Sequence, residues 1–409
     1  MIYMSDKLKI LVFHPNTGGC AYYRSLMPYH KLLELYSDKV EIIFDDNPLK
    51  LNIKTGKFEY PGAELDEPPE CIKNAHIVLI NNISNFGGAY TARVQGLASK
   101  AKKFIHFDTD DLLTELYEEH HLIDVYKNQG LSDLTKHLYY NSHLVTVTQV
   151  KFAERIKPFC RNILAVIKNA IDYNLPCWNN IKTKSKAVRI GWAGGIHHNP
   201  DVKIFSSVPH LVNQKVGREN IFWDFYGMPP PPQNLKEKED WQNKVWDKYK
   251  AELLKGFKGQ RNWNTHYAVG PHEYGVFYSN MDIAIAPLKM NAFNDSKSDI
   301  KVAEAGRYKV PLVASNVGCY SDTIVNGKTG YLLDPDAPKT EWIRILSKVS
   351  TDHKLRTEMG ENLHAITEQM FDINKVVKHR LEIYEKCFQA LNWDPRKERT
   401  TNELNNSIN

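Results

Sequence analysis

Apolar and polar positions fall in blocks along this chain: short apolar runs of strand length, separated by longer stretches with a helical period. Lys9-Ile10-Leu11-Val12-Phe13-His14-Pro15 reads as a buried strand running into Asn16-Thr17-Gly18-Gly19, with a helix after it from about Tyr22 to Leu35. Further strands are predicted at 40–44, 77–80, 103–107, 144–147 and 163–167. A polar, lysine-rich break at 179–186 follows, and the pattern restarts at Val188-Arg189-Ile190-Gly191-Trp192-Ala193-Gly194-Gly195, again a strand entering a glycine turn. The second series has strands at 221–227, 281–288 and 311–315, then helical runs at 341–366 and 376–391. Strands alternating with helices mean a doubly wound parallel sheet. Two series that each open with strand and then glycine predict an α/β protein with two Rossmann-like domains facing a central cleft.

The expected boundaries are 1–180 and 181–375 for the two domains, with an insertion at 229–262, a C-terminal helix at 376–394 and a disordered polar tail at 395–409. The insertion opens with Pro229 to Pro232. Its Leu235–Arg261 stretch carries eight basic and five acidic side chains with Trp241, Trp246, Tyr249 and Phe257. That composition reads as a solvated helix docked by its aromatics.

Composition narrows the class without choosing a chemistry. At 409 residues the chain exceeds what one core supports, so two domains are expected. It is 42% hydrophobic and 25% charged, an ordinary soluble composition. No apolar run approaches the roughly 18 residues that cross a bilayer, and Met1–Lys7 lacks the order of a secretory signal. Cys20, Cys71, Cys160, Cys177, Cys319 and Cys387 are scattered without a CxxC pair. They read as reduced thiols of a cytoplasmic protein, not as a zinc site or a disulfide frame. A net charge of +5 permits an acidic partner without requiring one.

The segment Asn294–Gly306 carries the densest chemistry. Small and polar residues opening a helix after a buried strand present unpaired N–H groups and the positive end of a dipole to an anion. Lys297 and Lys301, one turn apart, add full charges, and Glu304 lies on the same face, placed for sugar hydroxyls. The alternative is a surface helix with scattered charges. Gly18 and Gly19 let a backbone approach a ligand closely at the first strand-to-helix turn. Arg24 follows them as either an anion ligand or a surface side chain. Asp108, Asp110 and Asp111 end a buried strand, where a parallel sheet has its ligand crevice. There they serve as a metal-binding pair, as ligand contacts, or in part as a cap for 112–117, with Thr109 or Asp110 capping. Gly194-Gly195-Ile196-His197-His198 opens the second series with a turn suited to phosphate, an imidazole within reach, and Asp201 three residues past His198.

At these residues the chain resembles the retaining glycosyltransferases of the GT-B fold, the large family-4 type and its divergent phage-encoded relatives. In that family a Glu matching Glu304 grips the ribose of a nucleotide-sugar. A second acid often stands eight positions earlier, where this chain has Ser296, so Lys297 and Lys301 are expected to share the phosphate work. Gly19-Cys20-Ala21-Tyr22-Tyr23-Arg24 matches the Gly-x-x-Tyr-Tyr-Arg of the phage-type relatives, and Lys168-Asn169-Ala170-Ile171-Asp172 resembles the family's Asn-Gly-Val-Asp turn. His272-Glu273-Tyr274 matches a stretch that cradles the base. The resemblance implies a donor side made of Gly18, Gly19, Arg24, Asn169, Gly194, Gly195, His197, His198, Ser296, Ser298 and Glu304. It implies Asp108, Asp110, Asp111, Lys297 and Lys301 as the catalytic set, with Tyr22 toward the acceptor. The basic, tryptophan-bearing insertion is, on its own composition, the other candidate for the acceptor, with Lys244, Lys248 and Lys255 as backbone contacts if that acceptor is DNA.

The expected reaction uses a nucleotide-sugar, UDP-linked by preference, as co-substrate, without a permanently bound cofactor and without a metal. A hydroxymethylated pyrimidine base in DNA is the first acceptor considered. A glycan, a lipid-linked sugar or a protein is the alternative. A GT-B-fold UDP-sugar epimerase and a non-enzymatic nucleic-acid-binding protein are the competing classes. Oligomeric state is left open.

Overall fold

The computed structural model describes residues 7–14, 18–45, 50–52, 57–60, 63–64, 67–83, 87–195, 198–229 and 241–394. The tail at 395–409, His197 and the opening of the insertion lie outside the described residues. The chain forms two compact units. The first comprises Met1–Leu116, Leu122–Ala170 and Ile373–Asn409, and the second Tyr117–His121 and Ile171–Asp372. The crossing therefore falls at Ala170–Ile171, ten residues before the boundary read from the sequence. The C-terminal helix, Ile373–Ala390, belongs to the first unit instead of standing apart.

In the first unit, strands β1 (Leu8–Phe13), β2 (Val40–Asp45), β6 (Ile77–Asn81), β7 (Phe104–Asp108), β8 (Leu144–Val147) and β9 (Ile163–Val166) form one sheet. Its order is β2-β1-β6-β7-β8-β9, parallel throughout. A small antiparallel sheet of β3 (Lys50–Asn52), β4 (Lys57–Tyr60) and β5 (Ala63–Glu64) is inserted after β2. In the second unit, β10 (Val188–Ala193), β11 (Ile221–Met228), β12 (Trp263–Tyr267), β13 (Ile283–Ala286), β14 (Leu312–Ser315) and β15 (Gly330–Leu333) form the other sheet. Its order, β12-β11-β10-β13-β14-β15, is that of a dinucleotide-binding sheet, also parallel.

The strands formed where apolar runs predicted them, because a parallel sheet covered on both faces buries every residue of its inner strands. β6, β7, β8, β13 and β14 are buried along their whole length. One expectation changed. The 341–366 run is two helices, Lys339–Thr351 and His353–Met370, broken where Asp352 caps the second by accepting from the Leu355 N–H at 2.9 Å. The insertion's described part, the helix Trp241–Leu253, docks by its aromatics: Trp246, Tyr249, Leu253 and Phe257 belong to the second unit's core beside Trp192 and Trp223. Among the described residues no helix is long and apolar enough to cross a membrane.

The first unit is organised around one carboxylate. Asp108, wholly buried at the end of β7, accepts from Arg24 Nε at 2.7 Å and Nη2 at 2.8 Å, from Thr146 Oγ1 at 2.6 Å, and from Arg380 Nη1 at 3.4 Å. Since Thr146 gives its proton to Asp108, it can only accept from His106 Nε2, 2.7 Å away. His106 Nδ1 must then accept from Tyr384 Oη at 2.7 Å, and Tyr384 from Tyr29 Oη at 2.5 Å. The direction of every proton in this chain follows from the carboxylate. Burial drives the His106 imidazole down to about 3, so it is neutral. For Asp108 burial acts upward, but Arg24 and Arg380 outweigh it and hold the carboxyl at about 2.

Both shifts make the fold acid-sensitive, in different windows. Below its ordinary value of 6.5, His106 takes a proton in the unfolded chain but not in the folded one until about 3, so stability falls across that interval. The Asp108 contribution holds above its ordinary 3.8 and is lost as pH falls toward 2. Urea midpoints should therefore drop between pH 7 and pH 4.5, and His106→Gln should flatten that drop. Asp108→Ala should cost about 3–5 kcal/mol at neutral pH, as expected for a broken buried pair. An unchanged midpoint in Asp108→Ala would show that the guanidinium cluster does not need its carboxylate.

Candidate functional site

In an open parallel sheet the crevice lies beyond the carboxyl ends of the strands, where the strand order reverses. In the second unit that point is between β10 and β13. β10 ends in Gly194-Gly195, and the Gly194 N–H donates to Tyr226 O at 3.1 Å. Gly227, with φ 113°, packs so closely that a Cβ there would stand 2.0 Å from the Gly194 carbonyl oxygen. Only glycine allows that approach. From the helix Trp241–Leu253, Tyr249 Oη donates to Gly195 O at 3.3 Å.

Asp201 ties this turn to the loop after β13. Its Oδ2 accepts from His198 Nδ1 at 2.7 Å, while Oδ1 accepts from the Lys289 N–H at 2.8 Å and from Asn294 Nδ2 at 2.9 Å. Asn291 caps the short turn Ala292–Asp295 through the Asn294 N–H at 2.8 Å. The chain then enters the helix Ile300–Arg307, with Lys297 on its approach and Lys301 in its first turn. Lys297 Nζ stands 4.4 Å from the centre of the Phe293 ring, and Lys301 Nζ donates to Ala193 O at the end of β10. Burial pulls the Lys301 ammonium below its ordinary value, Glu304 and Asp201 oppose that, and Lys297 reinforces it. Glu304 is buried and accepts from Tyr278 Oη at 2.8 Å. The second unit thus brings Gly194, Gly195, His198, Lys297, Lys301 and Glu304 to one end of its sheet. Ser298 lies half-buried between the lysines.

Ser296 departs from its expected role. It is fully buried and gives its one hydroxyl proton to Ala292 O at 2.9 Å, so it serves the turn and not a ligand. Arg24 and Asn169 depart likewise. Arg24 is fully buried, and beyond the two bonds to Asp108 its Nη1 donates to Ile167 O at 2.6 Å and to Asn169 Oδ1 at 3.0 Å. Its fork is closed by protein groups, which corrects the reading of Arg24 as a phosphate ligand. Asp108, as the partner in that pair, is likewise removed from the catalytic set.

Asp110 and Asp111 remain in the first unit's own crevice, whose reversal lies between β1 and β6. No helix forms at 112–117, so neither Thr109 nor Asp110 is the expected cap. Asp110 Oδ1 accepts from Asn82 Nδ2 at 2.9 Å. Burial, then the neighbouring Asp111 charge, raises its carboxyl to about 6, against the Asn82 and Cys20 hydrogen bonds. Ligand atoms of Cys20, Asp110 and Asp111 lie within 4.8 Å of one another, close enough to share a cation. A cavity beside them is lined by His14, Asn81, Asn82 and Tyr90. Gly18 and Gly19 begin the helix that continues through a π-turn at Tyr22–Leu26. Tyr22 is half-buried in that turn with its ring edge-on to Tyr23. Lys244, Lys248 and Lys255 are exposed, away from the buried face of their segment.

Sequence reasoning missed Arg380, Asn82 and Tyr278. Asn82 had a signal, an apolar run ending in Asn81-Asn82; the structure adds that Asn82 has φ 57°, a conformation that concentrates at functional sites. Arg380 and Tyr278 had none, being polar residues in ordinary helical stretches.

Two parallel six-stranded Rossmann-like sheets in these orders make the fold GT-B. The sucrose-phosphate synthase of Thermosynechococcus elongatus shares it with a TM-score of 0.65 at 11% identity, covering 94% of this chain and 100% of that one. Anabaena Alr3699/HepE, solved in complex with UDP, matches with a TM-score of 0.59 at 14% identity, over 93% of this chain and 100% of that one. Residues 234–365 match the family model described as "Glycosyl transferases group 1". In sequence the chain is 29% identical over 106 residues to the capsular polysaccharide biosynthesis glycosyltransferase CapM of Staphylococcus aureus, 26% of each protein. The match spans about a quarter of the length of the curated relatives.

The Asp110 environment can be checked directly. Its carboxyl should titrate near 6 in pH-dependent infrared or NMR spectra. Asn82→Ala removes a donor that favours the ionised form, so it should move the titration upward. A carboxyl already fully ionised at pH 5 would contradict this geometry.

Proposed function

We propose that this protein is a retaining glycosyltransferase that moves a sugar from a UDP-linked donor to a hydroxyl acceptor. The observation that carries the reading is the second unit's crevice, where two lysines and a buried carboxylate from the segment matching the group 1 family model stand at the same sheet end as the Gly194-Gly195 turn. In this reading Glu304 takes the ribose hydroxyls, held by Tyr278. Lys297 and Lys301 face the diphosphate. As the glycosidic bond breaks, charge builds on the β-phosphate oxygen, and preformed cations stabilise it without reorganisation. In the first unit Asp110 and Asp111 take the acceptor hydroxyl.

For the acceptor, the relatives favour a saccharide or polyol hydroxyl. CapM is named for polysaccharide biosynthesis and the Thermosynechococcus protein for sucrose-phosphate synthesis. DNA is supported only by the basic face of the helix Trp241–Leu253 and by the Gly-x-x-Tyr-Tyr-Arg resemblance, and Arg24 of that motif is closed off by Asp108.

Glu304→Ala should weaken UDP binding by about 1–3 kcal/mol, the range for a hydrogen bond to a charged group. Calorimetric titration measures it, with Tyr278→Phe as the control for packing. Lys301→Met should depress kcat more than donor affinity, and EDTA should leave turnover intact. A strict requirement for a divalent cation would move the chemistry to Cys20, Asp110 and Asp111.

A mass-spectrometric screen of UDP-sugars against simple glycans and polyols, with hydroxymethylated duplex DNA in parallel, tests the acceptor. Product on a glycan or polyol is expected. If DNA is instead the substrate, Lys244, Lys248 and Lys255 changed together to Ala should flatten the slope of log K against log salt by roughly three units.

A further inference from the structure

His198 offers one open nitrogen, and Asp201 decides what that nitrogen can do. The Asp201 carboxylate is 2% exposed, and every contact it makes is as an acceptor: His198 on one oxygen, the Lys289 N–H and Asn294 Nδ2 on the other. Nδ1 of His198 must therefore carry the proton. Nε2 has no hydrogen-bond partner among the described residues. The charged groups around the ring are Asp201 from its own helix, Lys297 from the loop before the helix Ile300–Arg307, and Lys301 from that helix. The indole of Trp192 stands edge-on at 6.1 Å. Burial lowers the imidazole below its ordinary value; Asp201 opposes that, and the two ammonium groups add to it. A neutral ring with its proton on Nδ1 has only a lone pair at Nε2. It cannot donate to a phosphate oxygen, which likewise has only lone pairs.

We infer that Asp201 is a positioning residue that fixes His198 as a hydrogen-bond acceptor, so that Nε2 receives a hydroxyl of the transferred sugar while Lys297 and Lys301 alone meet the diphosphate. This rests on the glycosyltransferase reading for the identity of the hydroxyl. The tautomer stands independently of it.

The discriminating variant is Asp201→Asn. Its single carbonyl oxygen faces two donors on the Lys289 and Asn294 side, which leaves its NH2 group toward His198 Nδ1. The imidazole must then accept there and carry its proton on Nε2, reversing what it offers. Side-chain ¹⁵N spectra of the full chain, assigned with His198→Gln, should show the Nδ1–H neutral tautomer in the wild type at pH 7 and the Nε2–H tautomer in Asp201→Asn. UDP-sugar turnover should fall at least tenfold in Asp201→Asn, while calorimetric UDP affinity changes less than twofold. His198→Gln places an amide oxygen near the Nε2 position that does not depend on Asp201, so adding Asp201→Asn to it should cost little more.

An imidazolium or an Nε2–H imidazole in the wild type overturns the inference. So do losses that simply add in the double variant, or a UDP affinity that falls with turnover. If the wild type neither binds UDP nor turns over any UDP-sugar, the functional reading fails, and with it the sugar hydroxyl. The tautomer measurement still decides the role of Asp201.

Discussion

One buried carboxylate, Asp108, sets the constraints on the first unit. It sits at the end of a central strand with Arg24 and Arg380 both buried against it, two cations on one anion. Neither guanidinium could be taken from water without a partner, since the idealised cost of burying an unpaired ion is of order 20 kcal/mol. Three distant parts of the chain are therefore held together: the first helix, the β7 strand and the last helix. The π-turn at Tyr22–Leu26 belongs to the same solution. It buries Tyr23, Arg24 and Ser25 in succession, which the wider turn accommodates while aiming Arg24 at Asp108.

The second unit uses the same device for another end. Asp201 also gathers donors from separate elements, but the groups it orders are at a crevice. Its partner His198 keeps a free lone pair, and Lys301 is held with its ammonium depressed mainly by burial. An ammonium in that state is incompletely compensated: an arriving anion restores its ordinary affinity for the proton and is bound the more firmly for it. Asp108 is saturated and Lys301 is not. That difference, and not the mere presence of charge, separates the scaffold from the site.

Legibility in the sequence followed the same line. Continuous apolar runs such as Ile77–Ile80 and Leu144–Val147 announced buried parallel strands, so nearly all of both sheets could be read directly. Trp263–Tyr267 escaped because an edge strand alternates polar residues, here Asn264 and His266, and no apolar run marks it. Helix period places Lys301 and Glu304 one turn apart on the helix Ile300–Arg307, whereas Lys297, expected on the same face, stands in the loop before it. Asp108 and Arg24 were misread because a carboxylate ending a buried strand looks the same whether it meets a ligand or an arginine. The residue that settles the matter, Arg380, lies 272 positions away. The aromatics of the insertion, by contrast, were legible: in a polar helix they read as the stripe by which it docks, and Trp246 and Tyr249 lie in the core.

Ser296 shows how local geometry and charge agree in the second crevice. Its side chain is fully buried and bonded to a backbone carbonyl, a place where a carboxylate would face another acceptor and lose its hydration. An acid there would also bring a third negative charge to the two that already bear on Lys301, those of Glu304 and Asp201. A serine at 296 avoids both costs and leaves Glu304 and Asp201 as the acids that bear on Lys301.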